Sequence, residues 1–351
     1  MAVRTPEPTP ARLGFHMPAE WRPHEATWLA WPKDPVTWPN RVPQVEEIFL
    51  GIIGLLSAQE RVDLLVDDSE TEGRVKQRLE SQLGPAPNLR FHRVPTVDSW
   101  IRDYGPNFLV SDSGALAFNH WGFNAWGDKY EELKKDAAIP ERLAPVIEGR
   151  RFSPGMVLEG GSIDVNGAGV CLTTEQCLLN PNRNPRLARN AIEQRLKDYL
   201  GIERLVWLGE GIAGDDTDGH VDDIARFVSA DTIVCALEDD PADENHKLLR
   251  DNYERLRGAR DAQRRPFRIV TLPMPGPVQG SEGRLPASYA NFYIANGIVL
   301  VPTFGHRNDA RALLTLTDLF PDRTVVGIHC EPLVWGLGAI HCVTQQQPAR
   351  G

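Results

Sequence analysis

The stretch Gly161-Ser162-Ile163-Asp164-Val165-Asn166-Gly167-Ala168-Gly169-Val170-Cys171-Leu172-Thr173 decides the fold. Two apolar, partly β-branched runs flank Asn166-Gly167, a dipeptide that turns a chain back on itself because both residues tolerate positive φ. The strands this predicts, Gly161–Val165 and Gly169–Thr173, are antiparallel neighbours. A further β-like run at Cys177–Asn180, an amphipathic helix at Pro185–Leu200 and a strand at Leu205–Leu208 follow. Hairpins of this kind argue against a plain doubly wound parallel sheet. No G-x-G-x-x-G follows the early strands to suggest a dinucleotide site.

Outward from this unit, β-like runs alternate with helical patterns at Pro43–Ala58, Glu70–Leu83, Ala242–Gln263 and Arg307–Phe320, a mixed α/β chain with no evident linker. The third of these carries Leu248, Leu249, Tyr253 and Leu256 at helical spacing, an apolar stripe with charge on its other faces. Helix centres near residues 77, 192, 252 and 313 are separated, in the later part, by about sixty residues. That spacing predicts a unit of a few strands and one helix used several times. Residues 1–12, with Pro6, Pro8 and Pro10, are expected to form a flexible arm, and residues 13–351 a single domain.

With 351 residues and 41% hydrophobic content, the chain has ample core-forming material. Lys and Arg number 38 against 48 Asp and Glu, a net −10, and the basic residues are scattered; phosphate neutralisation needs them clustered, so nucleic acid is not the expected partner. A cationic small molecule fits better. The longest apolar run, Ile48 to Leu56, is half of what a membrane span requires, and the first ten residues lack the apolar core of a secretory signal. Five cysteines, an odd number, do not make a disulfide framework and suit a reducing cytoplasm. Cys171, Cys177 and Cys235 lie in apolar runs and read as small core residues, while Cys330 is undecided.

Cys342 differs. It follows Gly336-Leu337-Gly338-Ala339-Ile340-His341, a Gly-rich approach that brings backbone close to a ligand, and it stands at the start of a strand expected over Ile340–Thr344. His341 would point to the opposite face of that strand, so a base from elsewhere is the better partner. His220 and Asp222, in the block Gly214 to Val228, are candidates: on a strand over Val221–Ser229 they would share a face and could transfer protons. Asp215, Asp216 and Asp218 read as a solvated acidic turn, and the register of the block does not fit a calcium loop. A transition-metal site on His220, Asp222 and Asp223 is the competing reading, weakened by the lack of a second His at ligand spacing. Trp100 and Asp103 precede one strand, and Glu159 precedes Gly160-Gly161. Asp103, Glu159 and His220 are 56 and 61 residues apart, and Tyr289 with Asn291, then Cys342, continue the series. One polar residue from each of five similar units would converge if the units surrounded an axis, as propeller blades do.

These motifs coincide with a known family. The chain resembles the agmatine deiminase family of the guanidino-modifying (pentein) superfamily, which includes bacterial peptidylarginine deiminases and arginine deiminase. The resemblance runs through Phe15-His16-Met17-Pro18-Ala19-Glu20-Trp21, Ser99 to Pro106, Glu159-Gly160-Gly161-Ser162, Leu179 to Pro185, Gly219-His220-Val221-Asp222, Ala290 to Gly297 and His341 to Pro348. It implies a five-bladed α/β propeller of ββαβ units. It also implies a Cys342 nucleophile, His220 as general acid and base, Asp103 and Asp222 holding a guanidinium, and Glu159 supporting the histidine and the substrate. Asn291 and Trp100 are expected beside the substrate, Trp100 along its aliphatic part or else in the core. No metal or organic cofactor is implied, agmatine is the expected substrate with arginine or peptidyl-arginine as rivals, and a homodimer is expected. Plant-type members carry Gly-Gly-Gly-Asn-Ile-His-Cys before the nucleophile. Leu337 and Ala339 replace the second Gly and the Asn here, which bears on the substrate more than on the reaction.

Overall fold

The computed structural model describes residues 7–84, 86 and 88–350. Its strands form five small sheets. After the two-residue β1 (Phe15–His16), strands β2 (His24–Ala30), β3 (Arg61–Val66) and β4 (Leu89–Arg93) run parallel, crossing over through the helices Val42–Ser57 and Ser69–Leu83. The hairpin of β5 (Asn107–Ser111) and β6 (Leu116–Asn119) is joined in parallel by β7 (Arg150–Phe152). The same plan recurs with β8 (Asp164–Val165), β9 (Val170–Thr174), the helix Arg189–Leu200 and β10 (Arg204–Leu208). It recurs again with β11 (Ala225–Phe227), β12 (Thr232–Leu237), the helix Asn245–Gly258 and β13 (Arg268–Pro273). A further copy is built from β14 (Tyr293–Ala295), β15 (Ile298–Thr303), the helix Asp309–Leu319 and β16 (Thr324–His329).

Finally β17 (Gln345–Pro348) pairs antiparallel with β2, setting Gln345 opposite Trp28. The end of the chain thus supplies the hairpin partner that the first sheet lacks and closes the ring. The architecture is a five-bladed α/β propeller of ββαβ units. In four of the units the first two strands are joined by a short turn, whereas the parallel third strand needs a crossover, which helical segments provide. The helix Val42–Ser57 begins with Pro43 in its first turn and buries Val45, Phe49, Ile52, Ile53 and Leu56 at spacings of three and four. Among the described residues no helix is long and apolar enough to cross a membrane.

The repeat was legible, but the strands expected over Gly161–Val165 and Val221–Ser229 are shorter, and for one reason. Gly160–Ser162 and Val221–Asp223 are 3-10 turns, so β8 and β11 begin only at Asp164 and Ala225. Tyr289–Asn291 likewise precede β14, and residues 340–343 form a turn ahead of β17 in place of the strand expected over Ile340–Thr344. Thr344 Oγ1 closes that turn by donating to the carbonyls of Ile340 (3.0 Å) and His341 (3.1 Å). The apolar residues of these segments, Val221, Tyr289, Ile340 and Val343, are buried at the hub, and burial alone resembles a strand in the sequence. Cys177–Asn180 is also not a strand: Glu175–Leu178 is a helical turn whose Thr174 side chain accepts from Cys177 N at 3.2 Å. Ala11–Leu13 form a 3-10 turn ahead of Gly14, while residues 1–6 of the expected arm lie outside the described residues.

Candidate active site

Contacts of β5 with β17 and of β8 with β11 set these opening strands side by side at the centre. The segment before each therefore ends up at one mouth of the ring. Asp103 precedes β5, Glu159 precedes β8, Asp222 precedes β11, Asn291 precedes β14 and Cys342 precedes β17, each by two to five residues. Topology alone gathers them. An open cavity of about 1380 Å³ reaches Trp100, Asp103, Trp126, Leu337, Gly338 and Cys342. His220, Glu159 and Asp222 lie behind this floor, almost wholly buried.

Cys342 Sγ stands 3.9 Å from Asp222 Oδ2 and receives Asn291 Nδ2 at 3.1 Å. His220 Nδ1 is 3.8 Å from Asp103 Oδ1, which itself accepts from Gly161 N at 2.9 Å. The missing side chain of Gly161 opens the space between them: a Cβ there would sit 2.6 Å from His220 Nδ1 and 3.0 Å from both Asp103 Oδ1 and Asp222 Oδ2. Both ring nitrogens of His220, Asp222 Oδ1 and Glu159 Oε2 have no hydrogen-bond partner among the described residues. Buried polar atoms are almost always paired, so this convergence of unpaired ones marks a place where a ligand is received.

Charge explains what kind of ligand. Burial raises Asp103, and the nearby carboxylates of Asp222 and Glu159 raise it further, against His220 and the Gly161 N–H. Asp223 is likewise pushed well up by burial and by Asp222 and Asp215. Burial would raise Asp222 too, but the hydrogen bond and charge of His341, with His220 and Arg226, hold it below the usual range. The Cys342 thiol is pushed well above the ordinary range by burial and by Asp222, Asp223 and Asp103. Burial opposes a charge on His220, yet Asp103, Asp222, Glu159 and Asp215 raise it. Five carboxylates acting on one thiol and one imidazole leave a deficit of positive charge that a cation would fill.

The acidic turn before His220 is structural, and only half-buried instead of solvated. Asp215 Oδ2 accepts from Gly219 N (2.8 Å) and His220 N (3.1 Å), and Asp218 Oδ2 binds Arg183 at 2.5 Å. Since Val221–Asp223 is a 3-10 turn, His220 and Asp222 meet the site through that turn and do not alternate along a strand. Asn291 spends its side chain on the loop that carries Cys342, accepting from His341 N at 3.0 Å and donating to Asp223 Oδ1 at 3.0 Å as well as to Cys342. Trp100 lines the cavity, and its indole N–H donates to Asp98 Oδ2 at 3.0 Å. Leu337 adopts φ 69°, a left-handed conformation that glycine would accept without strain, and its side chain reaches the cavity wall.

Two residues escaped the sequence reading. Arg183 is fully buried, donating from Nε to Glu159 Oε1 (2.7 Å) and tying that carboxylate to the acidic turn. Trp126 donates to Asp103 Oδ2 at 2.8 Å from a segment in which Ala125, Trp126, Gly127 and Asp128 all have φ between 53° and 91°. Such a run of left-handed residues is costly and marks a functional position; in the sequence, only Asn124 and Gly127 hint at it. The remaining cysteines are buried, Cys330 among them. Cys177 Sγ, a Glu159 oxygen and a His220 nitrogen lie within 4.8 Å of one another. A metal ion there would need the Cys177 thiolate, which burial and Glu159 disfavour. It would also compete with the Arg183 guanidinium already on Glu159, so the donor set suits a metal poorly.

Comparison with known proteins agrees with this geometry. Residues 16–348 match the family model of the Porphyromonas-type peptidyl-arginine deiminases. The agmatine deiminase of Ectopseudomonas mendocina is 37% identical over 364 residues, covering 97% of each chain, and that of Medicago truncatula is 37% identical over 376 residues, covering 98% of this chain and 99% of its own. The solved structure of the Enterococcus faecalis agmatine deiminase superposes with a TM-score of 0.91 at 35% identity over 99% of this chain and all of that one. With its five blades and its hub of converging carboxylates around a cysteine, the chain belongs to the Porphyromonas-type peptidyl-arginine deiminase family.

Proposed function

We propose that the protein hydrolyses agmatine to N-carbamoylputrescine and ammonia, with Cys342 as the nucleophile. A guanidinium is planar, permanently protonated and stabilised by resonance, so its central carbon resists water. Asp103 and Asp222 hold its N–H groups by charge-assisted hydrogen bonds and fix its plane. Orientation brings the carbon to Cys342 Sγ. The bound cation offsets the carboxylates that keep the thiol protonated, so Cys342 gives up its proton to solvent and the thiolate forms as substrate arrives. Attack gives a tetrahedral adduct; His220 protonates one amino nitrogen, ammonia leaves, and an amidino-thioether remains on Cys342. The now neutral His220 takes a proton from water, which adds to the same carbon. Collapse of that second adduct breaks the C–S bond, releases the ureido product and returns the thiol. Glu159, braced by Arg183, supports the charged form of His220.

The observation that carries the choice of substrate is the charge of the cavity wall. Eight carboxylates line it (Asp34, Asp98, Asp103, Glu131, Glu132, Asp215, Asp216 and Glu282) against Lys33, Lys129 and Arg284. Each of these cations is already paired, Lys33 with Asp67, Lys129 with Asp218 at 3.1 Å and Asp216 at 3.3 Å, and Arg284 with Asp243 at 2.8 Å; although Glu131 and Glu132 pair with Lys134 and Lys135 and burial pushes Asp98 up to about 7, acidic groups still exceed cations on the wall. Such a wall attracts the distal ammonium of agmatine and repels the α-carboxylate of free arginine. Ammonia release from agmatine, arginine and a blocked arginine peptide, measured side by side, tests this. Agmatine should be turned over with the highest kcat/KM, and preference for free arginine would refute the assignment.

A further inference from the structure

Behind Asp222, on the side away from the cavity, a file of buried charges crosses the hub. His341 Nδ1 lies 2.6 Å from Asp222 Oδ2, and its Nε2 lies 2.9 Å from Glu20 Oε2. Glu20 also accepts from Arg226 at 2.9 Å and from Ile294 N at 2.8 Å, with an Arg102 nitrogen 3.7 Å away. Arg226 in turn binds Asp164 and donates to the carbonyl of Phe292 at 2.7 Å. The charges alternate along the file, and the residues come from the segment before β2 and from four blades. Neither Glu20 nor His341 lines the cavity.

An ionised carboxylate can only accept hydrogen bonds, so His341 satisfies both neighbours only with a proton on each ring nitrogen. Against burial, Glu20 is held ionised by partners other than His341, with Arg226 donating at 2.9 Å, Ile294 N at 2.8 Å and Arg102 standing 3.7 Å away, and at Asp222 the charges of His220 and Arg226 act in the same direction. The arrangement is needed because Asp222 faces Asp103, Asp223 and the Cys342 thiol in front, with His220 as the cation on that side. With this compensation from behind, Asp222 Oδ2 stands 3.9 Å from Cys342 Sγ and 3.0 Å from where a Gly161 Cβ would lie, while Oδ1 has no partner among the described residues.

We propose that His341, doubly protonated between Glu20 and Asp222, is a positioning residue that keeps Asp222 ionised and aimed at the substrate cation, with Glu20 as its remote anchor. The proposal rests on the reading of Asp222 as a guanidinium-binding carboxylate. Losing a charge-assisted contact of this kind should weaken substrate binding about tenfold. Glu20→Gln removes the anchor's charge, and His341→Asn keeps a donor for Asp222 while losing the bridge. In both, KM for agmatine should rise about tenfold with a smaller change in kcat, and the acid limb of kcat/KM should move to higher pH, as Asp222 protonates more readily. Combined with Asp222→Asn, Glu20→Gln should add little. Wild-type pH profiles in both variants, or full additivity with Asp222→Asn, would overturn the proposal.

A second measurement needs no turnover and serves even where Glu20→Gln fails to fold. In the histidine-labelled wild-type protein at pH 7, the imidazole 15N signals that disappear in His341→Asn should show both nitrogens protonated; a single protonated nitrogen would refute the proposal. A wild-type protein that releases ammonia from no guanidine would instead refute the functional reading and leave this spectroscopic result standing.

Discussion

Gly161→Ala isolates the catalytic space from the fold. Gly161 lies in the turn Gly160–Ser162 and its φ is outside the left-handed region, so alanine meets no backbone strain there. The added Cβ would stand 2.6 Å from His220 Nδ1, where ordinary contact begins at 3.4 Å, so the imidazole or the turn must retreat by about 0.8 Å (3.4 − 2.6). The methyl also stands 3.0 Å from Asp103 Oδ1 and Asp222 Oδ2, in the place assigned to the guanidinium. Misplacement of about 1 Å at a reacting centre costs on the order of a hundredfold. At ~1.36 kcal/mol per decade this is about 2.7 kcal/mol of transition-state stabilisation. Steady-state ammonia release should therefore show kcat/KM reduced about a hundredfold, with a melting temperature close to wild type. Gly160→Ala is the contrast, because its Cβ would overlap the Arg102 carbonyl; it should lower the melting temperature instead. A Gly161→Ala enzyme with wild-type kcat/KM would show that His220, Asp103 and Asp222 do not surround the reacting carbon.

Cys342→Ser should abolish turnover and still bind agmatine by calorimetry, whereas Asp222→Asn should impair both; wild-type rates in Cys342→Ser would remove the nucleophile assignment. Asp222 also helps to keep the Cys342 thiol protonated. Alkylation of free Asp222→Asn enzyme should accordingly rise at lower pH than in wild type, and an unchanged or upward-shifted profile would contradict the electrostatics. Asp98, beneath Trp100, is pushed up to about 7 by burial and by Asp34 and Asp136, although Thr37 and Ser99 N oppose the shift. Its folded value exceeds its unfolded one, so between about pH 4 and 7 the folded state holds the extra proton and stability falls as pH rises. Asp98→Asn should flatten the decline in melting temperature between pH 5 and 8 without erasing it, because Asp136, raised to about 6, titrates in the same range; an unchanged slope would refute the assignment.

The sequence disclosed the repeat because hairpin turns and helix spacing are local signals. Asn166-Gly167 announced one hairpin, and about sixty residues from helix to helix announced the rest. It did not disclose the closure of the ring. β17 is Gln345-Gln346-Gln347-Pro348, with no alternation to mark a strand, and its place is set by β2, more than 300 residues away. The hub segments misled for the opposite reason: Ile340, Val343 and Val221 are apolar because they are buried on all sides, and turns there look like strands. Cys342, His220, Asp103, Asp222 and Glu159 stood out as polar islands in apolar runs. Trp126 and Arg183 did not, since an indole that orients Asp103 and a guanidinium that braces Glu159 are indistinguishable in sequence from a core aromatic and a surface cation. Glu20 and His341 were visible only as members of motifs; their pairing across 321 positions belongs to the fold alone.

Hydrolysis by this route turns on a covalent bond between Cys342 and the guanidino carbon. Wild-type enzyme mixed with agmatine, quenched in acid within one turnover and analysed by peptide mass spectrometry should carry agmatine less one ammonia on the peptide containing Cys342, with no such adduct in Cys342→Ser. Turnover of agmatine with Cys342 unmodified at every quench time, and undiminished in Cys342→Ser, would contradict it.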